Sequence, residues 1–265
     1  MSAVRALPFD HHMAIHFDRF AELVGGPLNQ YLESVIPKQG GQRAIDLGCG
    51  TGRHAVLLAS RYQQVRAIDI STPMMDFARA RRARALPNIT YQEGDLRRLN
   101  AGLFDPYDFI LSAYALHHVD DHELDQVLGQ IRRLVAPGGR VVLIDNVAPT
   151  PQVPRRWFIR EAIRILAVDL LRHRRPAGEA LELYRLNIDP AWLDHVTSDR
   201  FLTPQQFTQR YGAVFPGARF TELYRARALC WTCPTSTPAG QARRERSAPT
   251  PPSKPTTDEQ AGKPA

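Results

Sequence analysis

Between residues 43 and 145, short apolar runs closed by Gly, Pro or Asp alternate with stretches of helical periodicity, and this alternation restricts the chain more than any other feature. The runs at 43–47, 65–70, 89–92, 107–112 and 140–145 have the length and apolar content of strands. Helical patterns lie between them at 53–61, 73–86 and 123–135. Strands joined through helices run parallel, with right-handed crossovers and both sheet faces covered. The pattern predicts a doubly wound α/β sheet. Thr72 reads as the cap of the second helix with Pro73 at its first position. Asp120 to Glu123 reads as an acidic capping box ahead of the third.

After residue 145 the pattern changes. Residues 148–215 look mostly helical, and 219–224 and 226–231 read as two closing strands. A connection of that length is too long for a simple loop, so a helical cap inserted over one end of the sheet is expected. From 234 to 265 there is no Leu, Ile, Val, Met or aromatic residue, while seven of the 21 prolines fall there. Such a segment buries too little apolar surface to offset its ordering entropy, and it is expected to be disordered. The expected organisation is one domain over 1–233 and a Pro-rich tail over 234–265.

A hydrophobic content of 43% supports a sizeable core. No run approaches the roughly 18 apolar residues of a membrane span, and the first residues do not read as a secretory signal. Three cysteines make no disulfide framework, so a cytoplasmic location is expected. The net charge of +7 invites a nucleic-acid reading, but 31 of the 34 basic residues are Arg and the tail carries part of the excess. Charge alone decides nothing. The CxxC at Cys230 and Cys233 has no second pair, and His12 with His16 lacks a third ligand, so no metal is expected.

The chemistry begins where the first strand ends. Ala44 to Gly52 runs from a strand through a glycine-rich turn into a helix. Such turns let a ligand approach the main chain, and the helix start offers N–H donors. The spacing is Gly-x-Gly-x-Gly, not the Gly-x-Gly-x-x-Gly of dinucleotide-binding dehydrogenases. Asp46 would repel a pyrophosphate but suits a ligand with a cationic amino group. Asp69, at the end of the second strand, is placed to accept hydrogen bonds from two ribose hydroxyls. Ile70 and Met74 suit an adenine face, and Asp95, in the turn after the third strand, suits the adenine amino group. An adenosine carrying an amino acid fits three consecutive strand ends, the rim where open α/β sheets bind ligands.

On these residues the chain resembles a class I S-adenosylmethionine-dependent methyltransferase. Asp46 to Gly52, Ala67 to Ser71, Gly94-Asp95-Leu96, Phe104 to Ile110 with Ala115 to Val119, and Leu134 to Gly139 match the family's motifs in order. The resemblance implies a Rossmann-like seven-stranded sheet, mostly parallel with an antiparallel last strand. It implies a cofactor-binding core over about 40–145, with S-adenosyl-L-methionine as cofactor and S-adenosyl-L-homocysteine as product. Carried over by position, Asp46 and Gly48 meet the methionine moiety, with Cys49 and Gly52 in the same turn. Gly50 lies by the ribose–sulfonium region, Asp69 by the ribose, Asp95 and Leu96 by adenine, and Ser112 and His117 beside the reacting centre. An N-terminal helix would cover the cofactor mouth with Phe17 or Phe20.

Methyl transfer from a sulfonium needs mainly alignment and exclusion of water. For a hydroxyl or acidic-carbon acceptor a base helps, and His117, His118 and His195 are the candidates in that order. The expected acceptor is a small natural-product, quinone-like or lipid-like molecule methylated on O, C or N. Residues 155–175 combine an apolar arc with seven arginines, with Arg160, Glu161 and Arg164 on the opposite side. This segment reads as a cap helix, or as a lid that meets an apolar or anionic acceptor or a membrane surface. Nucleic-acid methylation is the less favoured alternative, because Ser112-Ala113-Tyr114-Ala115 stands where adenine-amino methylases carry a proline pair. Protein methylation and a non-catalytic cofactor-binding scaffold are the others.

Overall fold

The structure, a computed structural model, describes residues 10–83, 86–100, 102 and 104–235. The chain separates into a unit ending at Cys233 and a second beginning at Pro234. The disorder expected of the tail lies outside the described residues from 236 onward.

Two helices, α1 (His11–Val24) and α2 (Gly26–Val35), precede β1 (Gly41–Leu47). The alternation follows: α3 (Arg53–Ala59), β2 (Tyr62–Asp69), α4 (Thr72–Ala78), β3 (Ile89–Glu93), β4 (Tyr107–Ala113), α5 (Asp121–Leu134) and β5 (Val135–Asn146). Then come α6 (Arg155–Leu171), α7 (Ala177–Ile188), α8 (Pro190–Ser198) and α9 (Pro204–Val214), followed by β6 (Arg219–Leu223) and β7 (Ala226–Thr232). The sheet order is β3-β2-β1-β4-β5-β7-β6, and only β7 runs against its neighbours. This is the expected Rossmann-like sheet. Reversal of order between β1 and β4 opens a crevice at their carboxyl ends, as in other doubly wound sheets.

One sheet face packs on α2, α3 and α4 through Leu32, Leu58 and Met75. The other packs on α5 and α9 through Leu128, Ile131, Phe207, Tyr211 and Phe215. The expected cap of 148–215 is therefore too long. Helix α9 presents Phe207 and Tyr211, fully buried, to the sheet and belongs to its helix layer, which leaves α6, α7 and α8 as the insertion.

Two caps differ from expectation. Ser71, not Thr72, caps α4 by accepting a hydrogen bond from the Met74 N–H. Asp120 caps α5 without a side-chain hydrogen bond, so there is no capping box, although Asp121 and Glu123 sit in the first turn where the helix dipole favours acids. Among the described residues no helix is long and apolar enough to cross a membrane.

Candidate active site

A cavity of about 1120 Å³ lies over the carboxyl ends of the parallel strands, roofed by α1 and the insertion. Its floor is the turn between β1 and α3. Gly52 ends that turn at φ 76°, where a Cβ would meet the Tyr91 ring at 2.9 Å. At Gly50 (φ 51°), by contrast, the nearest atom to a Cβ is Phe17 Cε1 at 3.7 Å, so the bare backbone faces open cavity. The turn is held from β2. Asp69 Oδ2 accepts from the Gly50 N–H at 2.7 Å and Oδ1 from the Ser71 N–H at 2.9 Å. Burial raises the Asp69 carboxyl, while those N–H groups and the neighbouring His118 oppose the shift. Each carboxylate oxygen keeps a second lone pair for a ligand hydroxyl. From the roof, Asp18 of α1 accepts from Thr51 Oγ1 at 2.8 Å and from Arg82 at 2.6 Å.

Of the residues singled out in sequence, Gly48, Cys49, Gly50, Asp69, Ile70 and Met74 line this cavity. So do Asp95, Leu96, His117, His118 and His195, together with Phe17 and Phe20 of α1. Three do not line it. Gly52 is packed against Tyr91. Ser112 is fully buried and donates to the Leu47 carbonyl at 2.9 Å, tying β4 to β1. Asp46 shares the sheet face of Ala44, because alternate residues of a strand point to one side. It is buried, with its Oδ2 left without a hydrogen-bond partner among the described residues. Burial, with Asp69 nearby, pushes its carboxyl up to about 7. Asp95, on the wall, is already engaged by Arg97 at 2.6 Å and caps the following turn, and this pairing lowers its pKa.

The three histidines meet around two carboxylates that the sequence reading passed over. His117 and His118 follow β4 in a short 3-10 turn, while His195 and Asp199 lie one helical turn apart at the end of α8. His117 Nδ1 is 2.5 Å from Asp145 Oδ1, and its Nε2 is 3.6 Å from Asp199 Oδ2. His118 Nδ1 lies 3.3 Å from Asp199 Oδ1, and His195 Nε2 lies 3.7 Å from Asp199 Oδ2. Burial works to lower His117, but Asp145 and Asp199 outweigh it and raise its pKa. Burial lowers His118, aided by His117, and takes His195 down to about 4. Asp199 is held below its ordinary value by the histidines around it, against its burial. Asp145 ends a strand at the same rim as Asp69, and Asp199 stands four residues after a candidate histidine. Either signal was available in the sequence.

The insertion supplies the other wall. Trp157, Phe158, Ile165 and Val168 of α6 face the cavity. Arg164 also faces it, hydrogen-bonded to Glu161 at 2.7 Å, so the expected separation of Arg164 from the apolar arc does not hold. Asp169 neutralises Arg175 at 2.7 Å. Arg174 and Arg225 line the cavity and form no ion pair among the described residues; Arg225 lies over the Trp157 ring at 4.3 Å. Tyr114 reaches the cavity from a left-handed conformation (φ 58°) that non-glycine residues seldom adopt.

Residues 44–139 match the family of methyltransferase domains. This stretch is a methyltransferase domain. It contains the glycine-rich turn, Asp69, Asp95 and both histidines of the β4 turn. The chain is similar to an uncharacterised methyltransferase of Anoxybacillus flavithermus, 28% identical over 53% of this chain and 63% of that protein. It therefore spans less than two thirds of that relative's length. An O-methyltransferase of Penicillium expansum, cnsE, is 34% identical over 60% of this chain and 59% of its own length. In fold the methyltransferase domain and its insertion resemble the DhpI–SAH complex, with a TM-score of 0.57 at 20% identity over 84% of this chain and 93% of that one.

Proposed function

We propose that this protein transfers a methyl group from S-adenosylmethionine to a small apolar acceptor that carries both an ionisable hydroxyl and an anionic group. The observation that carries this reading is the continuity of one cavity from the Gly50–Asp69 wall to the histidine cluster and on to the insertion. When bound, the cofactor supplies a methyl group already activated on a sulfonium. The residues present fit it: the bare Gly50 backbone leaves room, Asp69 keeps acceptor capacity for ribose hydroxyls, and Ile70, Met74 and Leu96 offer apolar surface for a base.

What the chain itself contributes is alignment, dryness and proton handling. α1 and α6 cover the cavity and limit water, which leaves an in-line displacement as the productive path. His117, oriented by Asp145, presents Nε2 towards Asp199 and the cavity, where it can take the acceptor's proton. A base of this kind serves a hydroxyl or an acidic carbon. The likeness to a protein named as an O-methyltransferase supports oxygen. Aromatic and aliphatic side chains of α6 suit an apolar acceptor body. Arg174 and Arg225, cationic and without an ion pair among the described residues, suit a carboxylate or similar group on it.

The test is a radiolabelled-methyl assay over matched phenols and hydroxy acids with and without a carboxylate. Labelling restricted to the anionic members is expected. Equal labelling of neutral analogues would remove the role of the arginines, and no binding of S-adenosylhomocysteine by calorimetry would remove the reading itself.

A further inference from the structure

We propose that His117, His118 and Asp199 form a binding site for a divalent transition-metal ion of the zinc type, open to the cavity on its remaining side. One ligand atom from each lies within 4.8 Å of the others, and all three residues are largely or fully buried. The spacing carries the argument. Histidine nitrogens stand 3.3, 3.6 and 3.7 Å from the oxygens of the single Asp199 carboxylate. Good N–H···O hydrogen bonds are about 2.7–3.2 Å long; the His118–Asp199 pair is a hydrogen bond at that limit, while the His117 Nε2 and His195 Nε2 separations from Asp199 exceed it. Donor atoms each about 2.1 Å from one tetrahedral ion lie roughly 3.3–3.5 Å apart; His118 Nδ1 stands at that distance from Asp199 Oδ1 and His117 Nε2 slightly beyond it from Oδ2, so a small closure brings one donor of each residue onto one ion.

A second observation is independent of that spacing. His117 Nδ1 is bonded to Asp145 at 2.5 Å. A metal-binding histidine ordinarily gives its second ring nitrogen to a carboxylate in this way, which fixes the tautomer and turns the other nitrogen's lone pair outward. Here the nitrogen so presented is Nε2, the atom nearest Asp199. His195, touching the same carboxylate oxygen at 3.7 Å, is placed to join as a further ligand after a small movement.

Two imidazoles and one carboxylate select an ion that accepts nitrogen, such as Zn²⁺, Co²⁺ or Fe²⁺; Mg²⁺ and Ca²⁺ prefer all-oxygen sites. Three protein ligands with an open position make a catalytic rather than a structural metal site. Such an ion would bind the acceptor's oxygen and lower its pKa so that its proton passes to water at neutral pH, with His117 Nε2 then holding the ion in place of acting as the base. That use of the ion rests on the methyl-transfer reading. The existence of the site does not.

The test uses the full chain, stripped with a chelator and free of cofactor, titrated with Co²⁺ by visible absorption and with Zn²⁺ by calorimetry. Expected are one saturable equivalent, the d–d bands of a low-coordinate Co²⁺, and displacement by Zn²⁺. His118→Ala and Asp199→Ala should each weaken binding at least a hundredfold, and Asp145→Asn about 10–100-fold. Retained S-adenosylhomocysteine affinity certifies the folding of each variant, with His118→Gln and Asp199→Asn in reserve. Absence of a saturable equivalent in the wild-type chain, or unchanged affinity in folded variants, overturns the site and leaves a hydrogen-bonded cluster. A chain that binds the ion and transfers no methyl would refute the proposed function alone.

Discussion

Asp46 shows what a single residue can cost. It is ionisable and buried, with one carboxylate oxygen unpartnered among the described residues and Asp69 close by, so its carboxyl is pushed up to about 7 from an ordinary 3.8. Between those values the folded chain holds a proton that the unfolded chain has released. Stability from this group is therefore greatest below the lower value and is lost as pH rises through the higher one. Asp46→Asn should abolish the effect. The variant should melt above the wild type at pH 8, by on the order of a few kcal/mol, with the gap closing towards pH 4. Melting curves that stay parallel across that range would show the carboxyl to be normal. Burial raises Asp69 too, but its carboxylate is better served, because its two oxygens hold the Gly50 and Ser71 N–H groups. Asp69→Ala should weaken S-adenosylhomocysteine binding by about 1.5–3 kcal/mol for each charge-assisted bond lost, and calorimetry reads this directly.

Among the elements, the contact between α1 and the insertion can be assigned to one side chain. Arg19 pairs with Glu182 of α7 at 2.7 Å, but both are substantially exposed, and such pairs are largely cancelled by solvent. Trp192 of α8 is 9% exposed and stacks on His16 at 5.3 Å, with Phe20 at 5.0 Å. Trp192→Ala should cost roughly 3–5 kcal/mol, whereas Arg19→Ala should barely move the melting temperature; equal effects would contradict this ranking. The same contrast explains what the sequence disclosed. Strands and helices through β5 were legible because apolar periodicity is local. The allegiance of α9 was not, because Phe207 and Tyr211 read as one apolar helix face whether they meet the sheet or the cap. Ser71 and Thr72 are both good caps, and only the backbone conformation decides between them.

For the whole molecule, the cavity joins two chemistries of different legibility. The half proposed for the cofactor was legible in the sequence because Gly50, Asp69 and Leu96 stand at consecutive strand ends within one short stretch of chain. The half proposed for the acceptor was only partly legible. It is assembled from segments distant in sequence, with Arg174 after α6, Asp199 at the end of α8 and Arg225 between β6 and β7. No local pattern announces their convergence. This separation has a kinetic consequence. Arg174 lies on the insertion side and makes no ion pair among the described residues, so its removal leaves no stranded carboxylate there. Arg174→Ala should raise KM for an anionic acceptor about 10–100-fold, the loss of one charge-assisted contact of about 1.5–3 kcal/mol. It should leave S-adenosylhomocysteine affinity unchanged. Asp69→Ala should do the reverse, and in the double variant the two free-energy losses should add, because the residues share no partner. Strong non-additivity would mean that the cofactor and acceptor walls communicate, most directly through the Asp69–His118 interaction and the Asp199 cluster that lies between them.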